Sequence, residues 1–454
     1  MVFETDTIAR HFDSYLDFVK SFEAARVYGK VTEVIGILIE STGPSASVGD
    51  VCHIEKAGRV VCRAEVVGFR KDRTLLMPLG PIEGIHPGMA VSATGRPLSV
   101  QVGDGLLGRV LDGLGDPIDG KGPIRASAKR SVFSSIPNPL TRKRIHEPFE
   151  TGVRAIDGLV AVGKGQRLGI FAGSGVGKSV LMGMLARNCR SDINVIALIG
   201  ERGREVREFI ERDLGEEGLR RSVLVIATSD QPALIRIKGA LVAAAIAEHF
   251  RDQGKDVLFL ADSITRLAMA QREVGLAIGE PPASKGYTPS VFALLPQFLE
   301  RAGTSDKGTI TGLFTVLVDG DDMEEPIADA VRSILDGHLV LSRKLAHRNH
   351  FPAIDILQSI SRCMSDIATK EHLTIAGKIK DAMAAYKESE DLIQIGAYAM
   401  GSNERIDKAI KVNEPINEFL RQTRDSSATA ADTLRKLEGI AQNGGLIPLP
   451  GAKK

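Results

Sequence analysis

"AGSGVGKS", residues 172–179, follows "GQRLGIF" and precedes "VLMGMLARNC". The apolar run "LGIF" reads as a short buried strand and "SVLMGMLARNC" as a helix, so the glycines sit at a strand-to-helix turn. Gly173, Gly175 and Gly177 can adopt positive φ without a Cβ clash, which lets several backbone N–H groups turn toward one anion. The N-terminus of the next helix adds its partial positive charge. Lys178 would reach the β and γ phosphates of a nucleotide, and the Ser179 hydroxyl would ligate magnesium. Ala172, Ser174, Val176 and Val180 complete the nucleotide-binding segment. Ala172 stands where G-x-x-x-x-G-K-[ST] begins with glycine, a small residue in the same slot. The plainer alternative is a glycine-rich turn that binds nothing; the order strand, loop, Lys-Ser, helix weighs against it.

At 454 residues the chain is long enough for two or three domains. Its 43% hydrophobic and 25% charged residues are the balance of a folded protein, and a net charge of +1 gives no basic field that would argue for nucleic acid. Cys52, Cys62, Cys189 and Cys363 are scattered without C-x-x-C pairing, which fits a reducing compartment and burial of all four rather than a metal site. No apolar run approaches the roughly 18 residues of a membrane span, and "MVFETDTIARHF" carries acids where a secretory signal would be basic and then apolar. These features predict a cytoplasmic protein.

Residues 1–22 place Ile8, Phe12, Tyr15, Leu16, Val19 and Phe22 at spacings of three and four, an amphipathic helix that either caps the next domain or docks a partner. From residue 23 to 100 the pattern is short β-rich runs ("KVTEVIGILIE", "DVCHIE", "VVCRAEVVGF", "RTLLMPL") broken by Gly, Pro, Ser and Asp, which predicts a small β-barrel or sandwich. "GLLGRVLDGLGDPIDGKGP" and the stretch to Pro148 read as a linker-like lead into the next domain. Over residues 101–375, buried strands ("NVIALIG", "VLVIAT", "DVLFLAD", "TGLFTVLV", "DGHLVLS") alternate with helices, the pattern of an α/β domain with a mainly parallel sheet. Residues 376–454 lose the strands and predict a helical domain with a frayed tail.

Three further segments carry candidate chemistry. "DVLFLAD" closes on Asp262, a carboxylate placed to hold magnesium through water. "LIGERGREVREF" presents Glu201 and Arg202 just past a strand. There Glu201 can polarise the water that attacks a γ phosphate, and Arg202 can orient Glu201 or the phosphate; the alternative is a surface helix start with exposed ion pairs. In "FPAIDILQSISRCMSD", Arg362 is either an ordinary surface arginine or a finger acting on a neighbouring subunit's nucleotide.

"AGSGVGKS", "GERGREVREF", "DVLFLADSITR" and "PAIDILQSISR", in this order, resemble the catalytic subunits of the F- and V-type rotary ATPases and their relatives. The resemblance covers nearly the whole chain. It implies an N-terminal β-barrel, a central RecA-like P-loop domain and a C-terminal helical domain, with ATP and Mg2+ as ligands. It further implies a catalytic role for Glu201, a finger at Arg362, Arg266 near the phosphates and Phe351 at the adenine-stacking position. Within the family, "PPASKGYTPSVFALLP" and "DDMEEPIADAVRSILDGHLVLSR" are similar to the flagellar and type III protein-export ATPases, and "AMGSNERIDKAI" stands where the synthase β subunit has an acidic loop. That branch implies a homohexamer peripherally associated with an inner-membrane export apparatus. Its implied partners are a stator-like regulator, a coiled-coil stalk, export chaperones with their cargo, and a membrane gate. The rivals are a virulence-system ATPase, a rotary synthase or vacuolar-type subunit, a Rho-like RNA translocase and a nucleotide-gated scaffold. For an RNA translocase, residues 28–98 are poor in aromatics, with only Tyr28 and Phe69.

Overall fold

The computed structural model describes residue 15 and residues 27–134 and 136–448. The helix expected over residues 1–22 falls, apart from Tyr15, outside the described residues. The chain divides into two compact units, residues 1–97 and 98–454.

The first unit is a closed six-stranded barrel. Strands β1 (Tyr28–Ile35), β2 (Leu38–Thr42), β3 (Asp50–Lys56), β4 (Arg59–Arg70), β5 (Arg73–Pro78) and β6 (Ala90–Pro97) run in the order β1-β2-β5-β4-β3-β6. β6 pairs back onto β1, so no edge is left open. Alternate positions supply its core, including Val31, Ile39, Ile54, Val66 and Leu76.

In the second unit, β7 (Ser99–Val102) pairs with β9 (Ala128–Ser131) as a two-stranded ribbon. The main sheet contains β8 (Arg109–Asp112), β10 (Arg167–Ala172), β11 (Ile193–Ile199), β12 (Ser222–Ala227), β13 (Asp256–Asp262), β15 (Thr309–Leu317), β16 (Gly337–Leu341) and β17 (Ile354–Ser361). Their order is β17-β16-β10-β15-β13-β11-β12-β8, and the short β14 (Gly303–Thr304) pairs with β15. Every pairing from β16 to β8 is parallel, and β17 alone closes that path antiparallel to β16. All seven residues of β11 are buried, which accounts for the unbroken apolar runs in the sequence, since helices cover both faces of such a sheet.

The stretch read as a linker is corrected by β8. This strand is the edge of the main sheet, in parallel register with β12. The Gly- and Asp-rich residues around it are turns that fold back: Asp119 accepts from the Val110 N–H at 3.1 Å and pairs with the buried Arg109 at 2.7 Å.

The helices that matter for the site are α1 (Lys178–Asn188), α2 (Ala233–Asp252) and α3 (Ile264–Ile278), followed beyond the sheet by α4 (Lys370–Gln394), α5 (Glu404–Leu420) and α6 (Ala430–Asn443). Ile379 of α4, Phe419 of α5 and Leu437 of α6 share one hydrophobic core with Leu168, Leu181 and Leu339, so these helices pack in the same unit as the sheet. The four cysteines are free; Cys52, Cys62 and Cys189 are buried and Cys363 is half-buried.

α1 carries the phosphate loop at its N-terminus and packs tightly against the π-helical segment Phe209–Leu214. The contact is at Gly183, where an added Cβ would lie 2.7 Å from the backbone oxygen of Asp213. Two effects oppose at this position. Alanine is the better helix former by about 1 kcal/mol, but forcing backbone apart in a packed core costs about 1–3 kcal/mol. Gly183→Ala is therefore expected to lower unfolding free energy by up to about 2 kcal/mol in urea titration; a stabilised variant would show that the packing is looser than this contact implies.

Candidate active site

The loop opens as β10 ends at Ala172 and closes as α1 begins at Lys178. Of the three glycines that the sequence reading allowed positive φ, Gly175 (φ 78°) and Gly177 (φ 91°) take the left-handed conformation, and Gly173 does not: its lack of a Cβ makes room for Arg343 and Asp321 instead. Val176 is buried and anchors the loop to the core, Val180 packs against that core, and Ser174, Gly175 and Ser179 are exposed. Gly177 faces Phe351: an added Cβ would lie 3.3 Å from the ring. Phe351 is partly exposed beside the loop, and its carbonyl accepts from the Gln422 N–H at 2.8 Å.

Three strand ends converge on Lys178. Its Nζ bonds Asp262 Oδ1 at the end of β13 and lies 3.5 Å from Glu201 Oε1 just beyond β11. β15 runs between β10 and β13, and its Thr315 hydroxyl donates to Asp262 Oδ1 at 2.5 Å. Thr315 was not found by reading the sequence; the available signal is one polar side chain inside the apolar run "GLFTVLV". The meeting place is the carboxyl end of a parallel sheet, where ligands bind in open α/β folds.

Glu201 follows Gly200, whose φ of 73° turns the chain and over which the Arg266 side chain lies: a Cβ on Gly200 would meet Arg266 Cβ at 2.7 Å. Arg266 Nε is buried without a hydrogen-bond partner among the described residues, and Glu201 Oε1 has no hydrogen bond there beyond its 3.5 Å ion pair with Lys178. Arg202 is not brought into the cluster. It is exposed and pairs with Glu205 at 3.5 Å on the opening turn of Gly203–Glu208.

Arg362 lies at the other end of the sheet. Ser361 pairs with Gly337 at the start of β16, whereas Leu341 at the end of β16 pairs with Ala172 at the phosphate loop. Five residues of strand, roughly 15 Å, separate the two ends. The exposed Arg362 therefore does not reach the Lys178 of its own chain.

Burial pulls the Lys178 ammonium toward neutrality, but Asp262 and Glu201 outweigh it and hold its pKa above the ordinary value. Burial and then the Asp262 carboxylate push Glu201 from 4.5 to about 7, with Lys178 opposing. Asp262 Oδ1 is committed to Lys178 and Thr315, which leaves its second oxygen for another ligand. With the Ser179 hydroxyl, that donor set is all oxygen, the chemistry of a hard divalent cation.

Family models match three successive segments. The ATP synthase alpha/beta family β-barrel domain covers residues 31–95, that family's nucleotide-binding domain covers 152–361, and the T3SS EscN ATPase C-terminal domain covers 368–439. The flagellum-specific ATP synthase of Bacillus subtilis is 55% identical over 432 residues, covering 95% of this chain and 99% of the relative. The chain belongs to the ATP synthase alpha/beta family. Within it, this chain stands with the flagellum-specific and type III secretion ATPases, enzymes that hydrolyse ATP. The type 3 secretion system ATPase of Xanthomonas euvesicatoria is 51% identical, covering 92% of this chain and 95% of the relative. The assembled ATPase EscN of enteropathogenic E. coli superposes with a TM-score of 0.87 at 47% identity, covering 91% of this chain and 99% of that one.

The raised Glu201 pKa has a signed consequence for stability. The folded state binds the Glu201 proton more tightly than the unfolded state, so this stabilisation is present below pH 4.5 and is lost as pH rises toward 7. Without nucleotide or metal, Glu201→Gln is expected to be more stable than wild type at pH 8 by about 1–3 kcal/mol, at about 1.4 kcal/mol per pKa unit. The margin should shrink toward pH 5. Thermal melts of both proteins at the two pH values check this; a margin independent of pH would show that Glu201 does not titrate in this range.

Proposed function

We propose that the chain is a magnesium-dependent ATPase of flagellar protein export, acting as a homohexameric ring. The observation that carries the reading is the largely buried Glu201 side chain beside Lys178 and Asp262 at the carboxyl end of the sheet. In this reading the loop 172–180 holds the phosphates, Phe351 stacks on adenine and Arg266 faces the phosphate region. Lys178 offsets the charge that develops on the transferred phosphoryl group. Glu201, with a pKa near neutrality, takes the proton of the attacking water. Ser179 and, through water, Asp262 would hold Mg2+, which when bound neutralises phosphate charge.

Arg362, a strand length from its own loop, is assigned to the neighbouring subunit's nucleotide. A single gene product then carries both halves of each site, which favours a homomeric ring. EscN has been solved in complex with its central stalk EscO, and we assign this chain a coiled-coil stalk of that kind. A stator-like regulator, export chaperones with cargo and a membrane gate are the remaining proposed partners, and nucleic acid is not among them. No helix among the described residues is long and apolar enough to cross a membrane. The proposed location is accordingly peripheral, on the cytoplasmic side of the inner-membrane export apparatus. A virulence-secretion ATPase is the near alternative, favoured by the Xanthomonas relative and EscN.

The test is ATP hydrolysis across a range of protein concentrations, with nucleotide binding measured in parallel. Specific activity should rise with concentration to a plateau. Glu201→Gln should bind ATP yet lose about 100-fold or more of turnover, and Arg362→Ala about 1000-fold. Mixing the two inactive variants should restore activity, because an interface between them can combine an intact Glu201 with an intact Arg362. No recovery on mixing would remove the role in trans, and activity independent of concentration would remove the ring.

A further inference from the structure

The phosphate loop is supported on its outer flank by two side chains that the roles above do not use. Arg343 opens the short helix Arg343–His347 directly after β16, with Ser342 as its cap. Its Nη1 donates to the Ser174 carbonyl at 3.3 Å, and its Nε lies 3.5 Å from Asp321 Oδ2. Asp321 belongs to the turn after β15 and holds a left-handed φ of 61° behind Gly320. A non-glycine residue in that conformation carries a backbone cost that its surroundings must offset.

Both side chains rest on the bare Cα of Gly173. A Cβ there would lie 2.6 Å from Arg343 Nη2 and 2.8 Å from Asp321 Oδ1. Both also line a cavity of about 510 Å³ between β16, β17 and the helices α4 and α5. Truncating either would therefore enlarge an existing space rather than let packed neighbours close over the loop.

We propose that Arg343, tethered by Asp321, is a positioning residue for the phosphate loop. It fixes the peptide unit between Ser174 and Gly175 with the carbonyl outward, so that the Gly175 N–H faces the nucleotide's phosphates. The peptide is planar, and its C=O and N–H point in opposite directions, so holding one aims the other. Without a hold, this peptide is free to rotate, because Gly175 pays no steric penalty in either hand. Asp321 has a distinct part. It keeps the guanidinium, with its five donors, on the outer side instead of releasing it toward the phosphates. Arg343 makes none of the contacts that unite Lys178, Glu201 and Asp262, so its effect falls on nucleotide affinity more than on the chemical step.

The inference rests on residues 172–180 being the nucleotide site, and Lys178→Ala tests that separately. The full chain, at a concentration where wild-type activity has reached its plateau, is assayed for ATP binding by calorimetry and for KM and kcat. The Arg343 and Asp321 side chains are 41% and 52% exposed, so a moderate effect is expected. Arg343→Ala should raise Kd and KM for ATP about threefold to tenfold, with a smaller change in kcat. Asp321→Ala should act in the same direction, the double variant should be no worse than the larger single effect, and Arg343→Lys should recover part of the affinity. Unchanged Kd and KM in Arg343→Ala, a loss confined to kcat, or additive effects of the two substitutions would each overturn the proposal. If Lys178→Ala binds ATP as well as wild type, the reading of the loop fails instead, whatever Arg343 does.

Discussion

One cation shared by two carboxylates organises the catalytic end of the sheet. Lys178 stands at the start of α1, Asp262 at the end of β13 and Glu201 just past β11, and all three are largely buried. Two unit charges 4 Å apart interact by up to about 4 kcal/mol at an effective dielectric of 20. Burial and the neighbouring Asp262 carboxylate raise the Glu201 pKa to about 7, and the Lys178 charge opposes that rise. The sheet order follows as a requirement. β15 must run between β10 and β13 so that Thr315 can hold Asp262 in place, and β11 must lie on the far side of β13 to deliver Glu201.

The two ends of the same sheet carry different halves of the proposed chemistry. Parallel strands place the loop, Glu201 and Asp262 at their carboxyl ends, while the antiparallel return of β17 carries Arg362 back to the opposite edge. That reversal follows from the strand direction alone. The antiparallel edge strand is the structural feature on which the proposed ring rests.

The sequence was most legible where burial was complete. "DVLFLAD" spans β13 residue for residue, because a strand covered on both faces admits no polar interruption until it reaches the site. The loop was legible for a different reason, since the demands of an anion on backbone geometry leave few residue types. β8 was missed because four residues of strand sit among Gly, Asp and Pro, and its place at the sheet edge is set by pairing with β12, more than 100 residues away. Glu201 and Arg202 could not be separated in a run of alternating Glu and Arg. What separates them is burial: the Glu201 side chain is 12% exposed and that of Arg202 79%. Thr315 carries no local motif, and Asp321 and Arg343 stand at the two ends of a segment whose likeness to the export branch says nothing of their contacts, which only the fold brings about.

The site therefore joins two kinds of order. Glu201 and Asp262 sit at the ends of strands whose residues are almost all buried, where position is set by the packed core. The loop that meets the nucleotide is more open: Ser174, Gly175 and Ser179 are exposed, and its outer flank leans on partly exposed charges. Interactions of that second kind are weak singly and sensitive to salt and to small movements of the turns that carry them. A displacement of the Asp321 turn or of the start of Arg343–His347 would reach the phosphate loop without disturbing Lys178, Glu201 or Asp262. On the roles proposed above, affinity and chemistry rest on separate supports, an arrangement suited to the proposed ring, in which each subunit would bind and release nucleotide with its catalytic groups held in register.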